Sequence, residues 1–262
     1  MQRSNRLIAG GFTATIAAAM VLTGCSTSDD GGDEKPASDA AATSTLSAAA
    51  TATQDLTGAH VVLTVDGQLQ SINATKVDAD IETKPELEGK GTTTLNMGGK
   101  TVDAPFVYID GKLYANVDGS GFQDYGDGRS IYDISKILDP EAGVANILRN
   151  VDGAQEAGDE TINGVATTKI TGTVSGKTLS ALTSTAAEGP GSDASYDATI
   201  YIAKDDKQVA RVVVSPTERV TMTVDLDKWN EKVDVKKPAD IESPTKKPEA
   251  PKSGEPTRDK AN

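Results

Sequence analysis

The stretch TTTLNMGGKTVDAPFVYIDGKLYA, residues 92–115, decides the fold class of this chain. Apolar and polar residues alternate along it, and two turn signals, Gly98-Gly99 and Asp110-Gly111, separate three strand-like runs. Alternation with period two is typical of a strand with one buried face, and Asp-Gly between two such runs is a strong hairpin signal. The stretch therefore predicts an antiparallel meander with one apolar face and one solvated face.

Similar alternation continues on both sides of this meander. It predicts further strands at residues 60–65, 76–82, 166–174, 198–203, 209–215 and 220–226, with a short closing strand at 233–235. A second hairpin is predicted at Asn163-Gly164, where the strands resume from Thr161.

Three short helices interrupt the strands. The first is predicted at 44–56, and a helical turn is predicted at 133–138. Asp139-Pro140 has the pattern of an N-cap followed by proline at the first helical position, before an apolar stripe that runs from Val144 to Val151. Ser175 is predicted to cap the third helix, which carries Leu179 and Leu182.

About ten antiparallel strands and a few helices make an α+β domain. A sheet of this length curls, and its apolar face needs cover. The short helices supply less apolar surface than the strands present, so the pattern leaves two alternatives open. The sheet closes tightly into a barrel, or it encloses a cavity with largely aliphatic walls.

The N-terminus has the pattern of a signal that directs a protein to a membrane. Arg3 and Arg6 precede an uncharged apolar run, residues 7–22, and the segment ends in Leu22-Thr23-Gly24-Cys25 with the only cysteine of the chain. The run is shorter than the roughly 20 residues that span a bilayer. A cysteine directly after the small residue is typical of a bacterial lipoprotein, in which a lipid attaches through the sulfur. The sequence predicts lipidation at Cys25 and anchoring to the outer face of the plasma membrane.

Composition predicts four segments: a signal peptide at 1–24, a flexible lipidated tether at 25–43, one domain at 44–238, and a disordered tail rich in Pro and Lys at 239–262. The net charge of the chain is −13. Such an acidic chain is a poor partner for nucleic acid.

The sequence contains little that predicts catalysis. Asp78, Asp80 and Glu82 fall on the polar side of one strand, and His60 is the only histidine. No spacing selects a carboxylate pair, and no metal-ligand cluster, phosphate-binding loop or nucleophile motif is present in the sequence. The sequence therefore predicts a protein that is not an enzyme and that needs no metal or cofactor.

Several stretches resemble the LppX/LprAFG family of mycobacterial lipoproteins, and most of all its LprG member. The similar stretches are 59–67, 106–115, 131–133, 138–148, 161–164, Lys228-Trp229 and 231–233. The resemblance implies a strongly bent antiparallel half-barrel with helices on its concave side and an apolar cavity between them. The tail beyond Pro238 is longer than this pattern, and Thr93 stands where an apolar residue is expected.

The resemblance also implies what the cavity holds and where the cargo goes. The implied cargo is the acyl chains of phosphatidylinositol mannosides, lipomannan, lipoarabinomannan or triacylglycerol, carried from the plasma membrane towards the outer envelope, with a membrane lipid exporter as a possible partner. One alternative is a lipid-anchored accessory of a membrane transporter that binds a solute or a partner and carries no lipid. Another is an envelope structural protein with no ligand.

Fourteen residues are candidates for the lining of this cavity, with the alternative that each belongs to a filled core. They are Val77, Ala79, Ile81, Leu95, Met97, Val102, Ala104, Phe106, Val220, Met222 and Val224 on strands, and Val144, Ile147 and Leu148 as a helical lid.

Overall fold

A computed structural model of the chain describes residues 38–67, 74–97, 99–129, 133–183, 194–217 and 219–242. The signal peptide, Cys25 and most of the tether and tail lie outside these residues. The described strands form one 12-stranded sheet. In chain order they are β1 (Gly58–Asp66), β2 (Ala74–Glu82), β3 (Glu88–Met97), β4 (Lys100–Ile109), β5 (Lys112–Ala115), β6 (Phe122–Asp124), β7 (Asp152–Ile162), β8 (Val165–Ser175), β9 (Ser195–Ala203), β10 (Val209–Thr217), β11 (Val220–Asp227) and β12 (Ile241–Glu242).

The sheet consists of two meanders joined at their first and last strands. The order across it is β12-β6-β5-β4-β3-β2-β1-β11-β10-β9-β8-β7. The pair β1–β11 joins the halves, with Leu63 opposite Val224. Every pair is antiparallel except β12, which lies parallel to β6. We call β1–β6 the arm and β7–β10 the covered half. The upper end of the sheet is the end at which β1 ends and β11 begins.

Three helices lie on the apolar side of the sheet. They are α1 (Ala40–Gln54), α2 (Val144–Arg149) and α3 (Gly176–Thr183). The backbone N–H of Ala41 donates to the Asp39 side chain at 2.8 Å, which caps α1. The main contacts of α1 with the sheet are to β7 and β9, and α3 contacts β8. The helices also pack on one another, and their apolar residues share one core cluster with residues of both halves of the sheet.

The buried face follows the cross-strand register. One row crosses the sheet through Ala104, Thr93, Val77, Leu63, Val224, Val212, Ile200 and Ile170. All of these except Thr93 are buried, and except for Ala104 the buried members belong to one core cluster that also contains apolar residues of the three helices. The sheet is therefore a curved, open half-barrel with helices on its inner side, as the sequence predicts.

A close approach at Gly91 shapes the arm. A Cβ atom at this position of β3 would lie 2.2 Å from the carbonyl oxygen of Asp78 and 2.7 Å from the Cα of Ala79. No side chain fits there, so the absence of a Cβ lets β2 and β3 approach at this point.

Several predicted elements need correction. The closing strand at 233–235 is wrong, and the chain instead ends the sheet with β12. The sequence pattern predicts no strand at β6. The predicted start of β7, at Thr161, is nine residues too late, because residues 152–160 are polar and show no alternation. The helix predicted after Asp139-Pro140 begins at Val144 with Gly143 as its N-cap residue. The Asp139 carboxylate accepts from the N–H groups of Glu141 and Ala142, so it closes a turn before the helix.

Candidate functional site

The inner face of the arm and of β11 brings most of the candidate lining residues together. Eight of them on β2, β4 and β11 are buried: Val77, Ala79, Ile81, Ala104, Phe106, Val220, Met222 and Val224. The three candidates on α2, Val144, Ile147 and Leu148, are buried in the same cluster. Leu95 and Val102 face each other across β3 and β4 and are half-buried.

Met97 does not belong to this buried set. Its residue surface is 52% exposed, because it is the last residue of β3 and lies beyond the cover of the helices. The prediction that Met97 lines an enclosed cavity needs this correction. The residue lies on the same face as Leu95 two positions earlier, so the apolar face of β3 continues outwards to the upper end of the sheet.

Sequence reasoning omitted the inner residues of β1 from the site. Val61, Leu63 and Val65 are buried in the same core cluster, between β2 and β11. Their alternation is visible in the sequence. Their central place is not, because it depends on the pairing of β1 with β11, which are far apart in the chain.

Burial varies along the inner face of the sheet, and on β1, β2 and β4 it includes residues without exposed surface, such as Val61, Ile81 and Ala104. Ile170, Ile200 and Ile202, on strands that the helices contact, have no exposed surface. The exposed fraction of the residue surface is 8% for Leu63 and Met222, and it is 6% for Val65, Val77 and Phe106. Solvent therefore retains a little access to the inner face of β1, β2, β4 and β11. This subset contains the residues that fit a lining better than a filled core.

Thr93 lies in the middle of this apolar surface. It is half-buried between Ala104 and Val77, and its hydroxyl donates to the carbonyl oxygen of Lys76 at 3.2 Å. Because the backbone of the neighbouring strand satisfies the hydroxyl, a polar residue is tolerated at this position.

The opposite face of the sheet is polar and carries ion pairs. His60 Nδ1 lies 2.8 Å from Asp80 Oδ1, and Lys76 Nζ lies 2.8 Å from Asp78 Oδ2. Arg211 on β10 binds Asp225 on β11 through two hydrogen bonds. The contacts of His60 and Arg211 join neighbouring strands, whereas the Lys76–Asp78 pair lies within β2. Asp78 and Asp80, which sequence reasoning weighed for catalysis, belong to these half-exposed pairs.

A polar cluster lies where β4 ends. The Tyr108 hydroxyl donates to Asp127 Oδ1 at 3.3 Å, and Arg129 binds the same carboxylate at 2.6 and 3.1 Å. Burial of the ring raises the pKa of Tyr108, and the hydrogen bond from Arg129 lowers the pKa of Asp127. The cluster places paired charges at the lower end of the arm.

Within the described part of the chain, no group of three or more His, Cys, Asp and Glu side chains could hold a metal ion. Among the helices described, none combines the length and the apolar character needed to cross a membrane.

Comparison with known proteins places this geometry in a family. The sequence model of the LppX/LprAFG lipoproteins matches residues 39–235. The lipoprotein LprA of Mycobacterium tuberculosis is 36% identical over 235 residues, which cover 86% of this chain and 95% of LprA. The lipoarabinomannan carrier protein LprG of Mycolicibacterium smegmatis is 35% identical over 231 residues, which cover 87% of this chain and 94% of that protein. The chain belongs to the LppX/LprAFG lipoprotein family.

Solved structures show the same fold. The crystal structure of LprF from Mycobacterium bovis superposes with a TM-score of 0.69 at 23% identity, and the match covers 79% of this chain and all of LprF. The structure of lipoprotein LppX from Mycobacterium tuberculosis gives a TM-score of 0.58 at 28% identity over 76% of this chain and all of LppX.

Proposed function

We propose that this chain is a cell-envelope lipoprotein that binds the acyl chains of a glycolipid, a lipoglycan or triacylglycerol against the inner face of its arm. The observation that carries the proposal is the residual access to part of the apolar inner face. Five residues on β1, β2, β4 and β11 keep 6–8% of their surface exposed, whereas Ile170, Ile200 and Ile202 have none; the five are Leu63, Val65, Val77, Phe106 and Met222.

Burial of acyl chains provides the driving force. Each CH₂ group that moves from water to an apolar site contributes about 0.8 kcal/mol. A carrier with such a surface can hold a lipid with several chains that would otherwise leave its bilayer slowly. The acyl chains would lie against a face lined by Val, Leu and Met side chains. The polar headgroup would stay in water at the edge of the site.

The family relationship supports the same function and suggests the cargo. LprG relatives are named lipoarabinomannan carriers, and this chain is 35% identical to one of them along most of its length. Lipoarabinomannan, lipomannan and phosphatidylinositol mannosides are therefore the first cargoes to test, followed by triacylglycerol. The proposed direction of transfer is from the plasma membrane towards the outer envelope.

Lipidation at Cys25 would place the carrier at its donor membrane. The proposed mature protein begins at Cys25, and residues 25–43 connect the anchor to the domain, although α1 already begins within the last residues of this segment. More than one acyl chain is needed for lasting attachment, since a single chain binds only marginally.

Mass spectrometry under native conditions tests the proposal. The protein without its signal and Cys25 is produced in a mycobacterial host and weighed before and after organic extraction. The expected result is an added mass that extraction removes and that fragments as an acylated lipid. A bare protein mass that persists after incubation with envelope lipids would contradict the proposal and favour a module without lipid cargo.

A further inference from the structure

The segment after β11 crosses the outer face of the arm. Asn230 begins the crossing at β1, where its side chain accepts from the N–H of Thr57 at 2.8 Å and its own N–H donates to the carbonyl oxygen of Gly58 at 2.9 Å. The segment ends at β12, which pairs with β6, where Ile241 lies opposite Phe122. We call residues 230–242 the external tie.

The external tie contacts successive strands on its way. The N–H of Val233 donates to Glu82 on β2 at 3.1 Å, and Lys90 on β3 donates to the carbonyl oxygen of Asp234 at 2.8 Å. The Lys237 ammonium then lies 5.4 Å from the centroid of the Tyr114 ring on β5. Hydrogen bonds and a cation–π contact thus link the tie to β1, β2, β3 and β5 before it joins β6.

The tie is held through its backbone at both ends. The N–H of Asn230 donates to Gly58 at the start of β1, and Ile241 pairs with Phe122 on β6. An extended segment on the outside of a curved sheet becomes longer when the sheet curls further, so it opposes further inward bending.

A carrier without cargo tends to bend inwards. The inner face of the arm is apolar, and Leu63, Val77 and Phe106 keep 6–8% of their surface exposed although they share one core cluster with residues of the helices. Without cargo, the hydrophobic effect favours closure of the arm onto the helices. We propose that the external tie limits the curvature of the arm and so keeps the inner face accessible to cargo. The part of this inference that concerns cargo rests on the proposed function.

The last residues of the tie extend beyond the family pattern. The family match ends at residue 235, whereas the contact of Lys237 and the pairing of Ile241 follow it. The external tie therefore includes residues that lie outside the match with the family model.

A distance measurement between two spin labels tests the inference. Lys100 at the start of β4 and Lys177 on α3 are exposed at the upper end of the sheet, one on the arm and one on the helix that contacts the covered half. The full chain carries Lys100→Cys and Lys177→Cys, with Cys25→Ser so that only these two thiols react. After lipid extraction, double electron–electron resonance spectroscopy gives the distribution of distances between the labels.

Two variants release the tie and one serves as a control. Ile241→Pro removes the pairing of β12 with β6, and Lys237→Ala removes the contact with Tyr114. Lys236→Ala is the matched control, since its side chain is 83% exposed and reaches only Asp234 at 3.6 Å. Release is expected to shorten the mean distance by about one strand spacing, roughly 5 Å, and the control is expected to leave it unchanged.

The outcomes separate the tie from the cargo. An unchanged distance in both release variants would overturn the inference, whatever the chain binds. A shorter distance together with a several-fold lower lipid load supports it in full. A shorter distance with an unchanged load would overturn the role of the tie in keeping the site accessible. If the unaltered chain holds no lipid, the proposed function fails, and the distances still decide whether the tie limits the curvature.

Discussion

The two meanders of the sheet share one alternating pattern but bury it in different ways. In the covered half, α1 and α3 lie against β7, β8 and β9, and Ile170 and Ile200 have no exposed surface. In the arm, the equivalent row continues through Leu63 and Val77, which keep some access. The comparison teaches that a strand pattern specifies an apolar face, while the cover placed on that face decides whether it becomes core or binding surface.

The largest expected effect tests this difference directly. Ile200→Ala and Leu63→Ala delete the same number of side-chain atoms from one row, at positions three strands apart. Ile200 lies in a fully covered site, so its truncation is expected to cost about 4 kcal/mol of unfolding free energy. Leu63→Ala is expected to cost about 2 kcal/mol, because its surroundings are less tightly filled. Denaturant unfolding of lipid-free protein measures both, and equal losses would show that the arm is filled core.

A smaller effect is expected from the glycines at which other groups approach closely. A Cβ at Gly91 would lie 2.2 Å from the carbonyl oxygen of Asp78 and 2.7 Å from Ala79, whereas a Cβ at Gly172 on β8 would lie 2.5 Å from the Val151 side chain and 2.8 Å from the carbonyl oxygen of Asp152. Gly91→Ala is therefore expected to destabilise the fold by about 2–3 kcal/mol, and Gly172→Ala by about 1–2 kcal/mol. Thermal unfolding of the two variants checks the order, and the reverse order would contradict the close approach of β2 and β3 at Gly91.

The smallest effect concerns acid sensitivity at the end of the arm. The Lys112 ammonium donates to Asp124 at 2.8 Å and, together with the N–H of Gly126, lowers the pKa of that carboxyl. A lowered folded-state pKa contributes stability above the pKa of the unfolded chain, about 3.9, and this stability is lost as the pH falls through the folded-state value. Asp124→Asn is expected to lower the melting temperature slightly at pH 6 and to leave it almost unchanged at pH 2. An equal loss at both pH values would show that the ion pair does not contribute.

Local signals in the sequence predict much of the sheet but not its closure. The Asp110-Gly111 turn and the alternation around it predict β4 and β5, and the alternation at 220–226 predicts β11. The join of β1 to β11 was not predicted, because no local pattern records a pairing between strands so far apart. The polar β7 and the two-residue β12 were missed because they lack an alternating apolar face, and they depend on their partners β8 and β6.

The candidate site was predictable as a face and less so as a set of residues. Val77, Phe106 and Met222 follow from alternation, since a strand's inner face can be read from period two. Ala79, Ile81 and Ala104 have almost no exposed surface, and only packing in three dimensions distinguishes them from lining residues. Met97 shows the opposite error, because its pattern matches the inner face while its place at the end of β3 leaves it in solvent.

Two consecutive residues on β11 test the central claim most directly. Met222 faces the inner side with 8% of its surface exposed, and Thr223 points to the outer face. Lipid load is measured by native mass spectrometry for Met222→Trp and Thr223→Trp, together with the melting temperature of each. The account predicts that Met222→Trp loses the bound lipid with only a small change in melting temperature, and that Thr223→Trp keeps both. A full lipid load in Met222→Trp would contradict the assignment of the inner face as the cargo site.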